Sequence, residues 1–175
     1  MIEVSHLRLR FLAAKLYRPG VALMMCAAAW NPAAKAQQPE SSIPAGDGRL
    51  ERLTKYFQAR RCPLDRYAAE FLDAADRYHL DWRLLPSLAM IETGGRLYTR
   101  NNIFGWASGR AKFETVPEGI YHVARHLAES RPYAGKDLRA KLRAYNPVNR
   151  WYPDLILRMF RDISPEPAAA PAGGR

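Results

Sequence analysis

Glu92 is the residue of this sequence whose type and position best suit chemistry. It follows Leu85, Leu88 and Ala89 at spacings of seven, four and three. On an α-helix those positions share one face, which predicts that Glu92 belongs to the buried stripe. Burial beside aliphatic side chains disfavours a carboxylate anion. The negative end of a helix dipole acts the same way in the last turn. A carboxyl so placed can hold a proton near neutrality and hand it to a leaving oxygen, the work of a general acid in glycoside cleavage. The competing reading is a buried ion pair with Arg83 or Arg96, and position alone leaves both open.

Other residues near Glu92 have polar or aromatic chemistry to offer. Gly94 and Gly95 stop the helix and would let a ligand approach the backbone closely. Asn101 and Asn102 suit either a turn or hydrogen bonds to sugar oxygens. Trp106 follows a glycine in a loop, where an aromatic face can stack on a sugar ring or pack inward. Tyr98 and Tyr152 carry the same two readings. Phe104 lies in the same loop, and its type also suits a core. His122 and His126 are four apart, the spacing of a metal pair. They lack a third ligand and the His-Glu-x-x-His pattern, so they read as a solvated helix face. No metal or cofactor is expected. No nucleophile elbow, phosphate loop or dinucleotide fingerprint occurs.

The elements that must position these residues are helices. Leu50, Leu53 and Phe57 form a stripe over residues 49–60. Pro63 opens a second helix, with Leu64, Tyr67, Ala68, Phe71, Leu72 and Ala75 at helical spacing. Asp81 is an N-cap candidate for a third, over 82–92. A long loop, 96–117, holds most of the core's Gly and Asn, and 111–115 is a candidate extended piece. Further helices are expected over 118–130, 136–145 and 150–163. In the last, Trp151, Leu155, Met159 and Ile163 would face inward. The fold class is all-α, with room for one short β-hairpin.

The flanks differ in composition from this core. Basic residues from His6 to Arg18, the apolar run 21–30 and the small-x-small triplet Ala34-Lys35-Ala36 read as a secretion signal over 1–36. That run falls short of the roughly 20 residues of a membrane span. Residues 37–48 and 164–175, rich in Pro, Ala, Gly and Ser, read as a linker and a tail. The folded domain is expected at 49–163, a common size for one core. The full chain carries a formal charge of +10. Without residues 1–36, 22 basic face 16 acidic residues, +6. A basic surface suits an anionic polymer. An exported chain without a dense Lys/Arg stripe argues against nucleic acid. Cys62 would remain as a single core thiol, with no disulfide possible.

The words around Glu92 carry a family resemblance. The helix from Leu80 through Leu84-Leu85-Pro86-Ser87-Leu88-Ala89-Met90-Ile91-Glu92-Thr93-Gly94 resembles the catalytic helix of lytic transglycosylases and bacterial endo-β-N-acetylglucosaminidases. There an aliphatic helix ends in Glu-Ser-Gly, and Thr93 here stands in the serine's place. Asn101-Asn102-Ile103-Phe104-Gly105-Trp106 is similar to the loop that follows in the glucosaminidase group. Tyr145-Asn146-Pro147, Trp151 and the closing helix are similar to the family's ending. The resemblance spans residues 65–163.

It implies a lysozyme-like domain that cleaves the β-1,4 glycan of peptidoglycan in the periplasm or outside the cell. Glu92 would be the acid, and Tyr145 the late tyrosine that orients substrate beside it. Thr93, Gly94, Asn101, Asn102, Phe104 and Trp106 would form the substrate side. The glucosaminidase reading leads, assisted by the substrate acetamido group or by a second carboxylate from Glu114, Glu118 or Asp154. A lytic transglycosylase using Glu92 alone is the alternative chemistry. A wall-binding module without turnover is the alternative class. The expected partner is the glycan strand, met by a monomer.

Overall fold

The structure is a computed structural model and describes residues 47–96 and 99–165. The expected signal, most of the linker, Tyr98 and most of the tail lie outside those residues. Among the described residues six α-helices run in order: α1 Gly48–Ala59, α2 Ala68–Arg77, α3 Leu84–Thr93, α4 Val116–Glu129, α5 Leu138–Tyr145 and α6 Tyr152–Ile163. Short 3-10 turns occupy Pro63–Tyr67 and Thr99–Asn101. The all-α class holds, and no strand occurs among the described residues.

Capping side chains set several helix starts. The Asp47 carboxylate accepts from the Arg49 N–H at 2.8 Å to open α1. Thr115 Oγ1 accepts from the Glu118 N–H at 3.2 Å, so α4 begins two residues before the expected 118. Asp137 accepts from the Ala140 N–H at 2.7 Å and starts α5. Asp81 is not the cap of α3, which starts at Leu84, two residues later than expected. Its carboxylate holds the Arg83 N–H at 3.0 Å, so a turn precedes α3.

α3 is deeply packed. Leu84, Leu85, Pro86, Ser87, Leu88 and Ala89 are all buried, so the helix is enclosed on every side for most of its length. Its main helix neighbours are α6 and α2. It shares one core with Leu53 and Phe57 of α1, Phe71 and Leu72 of α2, Ile120 and Val123 of α4, and Ile156 and Phe160 of α6. Each such side chain contributes about 1.5–3 kcal/mol by leaving water. Phe57, Phe71 and Phe104 form a ladder of rings with centroids 5.7 and 6.4 Å apart. Cys62 is buried and free, as its type implies.

α3 and α6 run antiparallel and are pinned at both ends. At one end the buried Arg83 pairs with Asp81 at 2.8 Å, donates to the Ser164 carbonyl at 3.2 Å and lies over the Phe160 ring. At the other end Tyr152 reaches Glu92. The inward face of α6 is Tyr152, Ile156, Phe160 and Ile163, one residue out of register with the expected face. Trp151 is therefore on the surface, 60 % exposed.

The candidate extended piece at 111–115 forms no β-strand, and no hairpin occurs among the described residues. One backbone bond, Phe113 N–H to the Arg100 carbonyl at 3.0 Å, reaches across. The Asn101 amide fills the rest of the gap, donating to the carbonyls of Phe113 and Glu114 at 2.9 and 2.8 Å. A side chain thus does what a strand partner would have done.

Candidate functional site

Glu92 stands in the last turn of α3, and it is exposed rather than buried. The helix leaves the core at Met90, so the spacing that shares a face with Leu85 and Leu88 carries Glu92 beyond the packed layer. Neither expected arginine is its recorded partner. Arg83 is with Asp81, and Arg96 donates to the Arg60 carbonyl at 3.0 Å. What holds Glu92 is a phenol: the Tyr152 hydroxyl donates to Glu92 Oε1 at 2.6 Å.

Two tyrosines are stacked beside the carboxyl. The Tyr145 ring lies against Tyr152 at 5.8 Å, the planes 15° apart. Burial, helped by the charge of Glu92, pushes the Tyr145 phenol far above its ordinary range. Burial, with Tyr145 and Glu92 nearby, does the same to Tyr152. Both therefore stay protonated and are donors rather than bases, and Tyr152 is the one that donates to Glu92. Glu92 keeps Oε2 for other work, since the bond from Tyr152 is made to Oε1.

The ring row continues away from the acid. Trp106 lies 6.2 Å from Tyr145. It meets His126 at 5.0 Å and His122 at 6.0 Å, edge-on in both cases. Phe113 flanks His122 at 5.3 Å, and Tyr133 flanks His126 at 6.0 Å. The histidines are thus half-buried in an aromatic row, which corrects the expected solvated face. Burial, with Arg125 nearby, lowers the pKa of each imidazole, and each thus favours the neutral form. Among the described residues no group of three or more metal-ligating side chains forms.

The expected substrate side divides. Asn102 is only 4 % exposed. Its Oδ1 accepts from the Trp106 N–H at 2.8 Å, and its amide donates to the Trp106 and Ala111 carbonyls at 3.0 and 3.2 Å. Phe104 is a fully buried core ring. These two cannot touch a substrate; they staple the loop that presents Trp106. Asn101 spends its amide on the 113–114 carbonyls. The Thr93 hydroxyl lies 2.7 Å from the Ile103 carbonyl and 3.1 Å from that of Ala89, tying the end of α3 to the same loop. Gly94 caps α3 at φ 64°, with open space around it. Glu92, Tyr145, Tyr152, Trp106, His122 and His126 are what the fold brings together.

The candidate second carboxylates have other partners in two cases. Glu118 Oε2 accepts from the Glu114 N–H at 2.6 Å, part of the α4 cap. Asp154 pairs with Arg139 at 2.9 Å. A recess of about 250 Å³ lined by Pro63, Arg66, Tyr67, Asn101 and Val116 does not include Glu92.

Tyr152 is the neighbour of Glu92 that the sequence left outside the substrate side. A tyrosine on the apolar face of a helix needs a partner for its hydroxyl, and that was the available signal. No helix of the described residues is long and apolar enough to cross a membrane. Comparison with protein-family models, with curated proteins and with solved structures returns no match for the chain.

Proposed function

We propose that this chain cleaves the β-1,4 glycan of peptidoglycan, glucosaminidase fashion, with Glu92 as general acid. The observation that carries the reading is the exposed Glu92 carboxyl with one oxygen held by Tyr152 and the other oxygen left for chemistry. The resemblance of the α3 and Asn102–Trp106 segments to lysozyme-like enzymes supports it, and with it a lysozyme-like arrangement and an exported, wall-associated setting.

The chemistry needs one proton and one oxygen atom. Glu92 protonates the glycosidic oxygen, the C1–O bond breaks, and its electron pair leaves with that oxygen. The substrate acetamido oxygen stabilises the positive C1. The Glu92 carboxylate then takes a proton from the water that adds there. Of the three candidate second carboxylates Glu118 and Asp154 are engaged elsewhere, so Glu114 alone stands against this one-carboxylate course. The same economy favours a second reading, in which the muramic C6 hydroxyl replaces water and an anhydro end results.

Mass spectrometry of the soluble products from purified peptidoglycan tests this. The wild-type chain is expected to release fragments with reducing N-acetylglucosamine ends. Glu92→Gln is expected to cut release by at least about a hundredfold. Anhydromuramic ends would select the second reading. No release from the wild type, with the protein still sedimenting with the wall, would leave a binding module.

A further inference from the structure

The aromatic row leading away from Glu92 has more polar capacity than the acid chemistry uses. True core rings in this fold, Phe57, Phe71 and Phe104, are fully buried. Trp106, His122, His126 and Tyr145 are not; each keeps partial exposure while touching the next. The row is therefore a surface wall, continuous from Tyr145 through Trp106 to the two imidazoles, with the buried Tyr152 ring packed behind its Tyr145 end.

Its parts are held in place before any ligand arrives. Asn102 fixes both the N–H and the carbonyl of Trp106. The histidines lie one turn apart on α4, their rings parallel within 10° and 6.2 Å apart. Neither imidazole has a hydrogen-bond partner among the described residues, and each neutral ring offers one N–H and one bare nitrogen. Sugar hydroxyls and acetamido groups need a donor and an acceptor together, and their C–H faces pack on aromatic edges and faces.

Resting on the Glu92 reading, we propose that Trp106, His122 and His126 form a saccharide subsite continuous with the acid. It takes an N-acetylated hexosamine of the strand, with the imidazole nitrogens bonding its acetamido and hydroxyl groups. A neutral, half-buried pair suits an uncharged sugar ring better than an anion.

The test uses the full chain carrying Glu92→Gln, titrated with a soluble tetrasaccharide of alternating N-acetylglucosamine and N-acetylmuramic acid. NMR follows the ring protons of the histidines, with the exposed His79 as internal control. The His122 and His126 signals are expected to move saturably while His79 stays still. Adding His122→Phe with His126→Phe, which keeps the ring row, is expected to weaken binding about tenfold. Saturable binding with both histidine signals unmoved, or undiminished by the paired Phe variant, overturns the subsite. Wild-type cleavage of peptidoglycan is measured alongside. Cleavage with silent histidines removes the subsite and keeps the Glu92 reading; neither cleavage nor binding removes both.

Discussion

Glu92 and Tyr152 meet across 60 positions of sequence, and their bond decides how the carboxyl is presented. A phenol–carboxylate bond of 2.6 Å fixes the side chain's rotamer as well as one of its oxygens. Tyr152→Phe removes that hold while leaving the ring stacked on Tyr145. Glycan cleavage is expected to fall about 10- to 100-fold, with the thermal midpoint nearly unchanged. Full activity in that variant would make the bond incidental. Residue types and spacing singled out Glu92 as the candidate acid but did not show its exposure. Spacing reports which face a side chain shares, whereas exposure depends on where the helix outruns its neighbours. The roles of Asn102 and Phe104 were hidden for a related reason. A polar pair in a loop looks the same in sequence whether it serves a ligand or its own backbone.

At the scale of elements, the helices were legible because nearly all of them bury one stripe at regular spacing. Most starts shifted by one or two residues, with Thr115, Asp137 and Asp81 taking backbone N–H groups, while the helix expected from Pro63 opens as a 3-10 turn over Pro63–Tyr67 and becomes α2 only at Ala68. The face of α6 was misread because Trp151, Leu155, Met159 and Ile163 repeat as regularly as Tyr152, Ile156, Phe160 and Ile163. The choice between the two belongs to packing against α3. The end of α3 supplies a paired prediction. Gly94 and Gly95 both sit at φ 64°. A Cβ at Gly94 meets open space, whereas one at Gly95 runs into the Cys62 sulfur and the Leu64 side chain. Gly94→Ala is expected to cost about 1–2 kcal/mol from backbone strain. Gly95→Ala is expected to cost about 1–3 kcal/mol more from overpacking. Urea unfolding of both variants checks the order, and equal losses would mean that the Cys62 contact gives way freely.

For the whole molecule, the histidine pair couples fold to pH. Burial lowers both imidazole pKa values in the folded chain, while an unfolded histidine protonates near about 6.5. Below that value the unfolded chain binds more protons than the folded one, so stability falls as pH drops from about 6.5 toward the folded-state values. Above it the contribution is fully present. Melting temperatures from pH 8 to 5 are expected to decline through this window, and the decline is expected to flatten when His122 and His126 are both Phe. An identical slope in that variant would assign the pH effect to other groups. The antiparallel pair of α3 and α6 has a further consequence, in the order of synthesis. A ribosome delivers Glu92 well before Tyr152, and domains complete themselves from the N-terminal side. A chain interrupted anywhere before α6 would carry Glu92 without its bond from Tyr152, and would lack the helix that covers one side of α3. The Glu92–Tyr152 arrangement therefore arrives with the last helix, and a half-made copy is a scaffold without it.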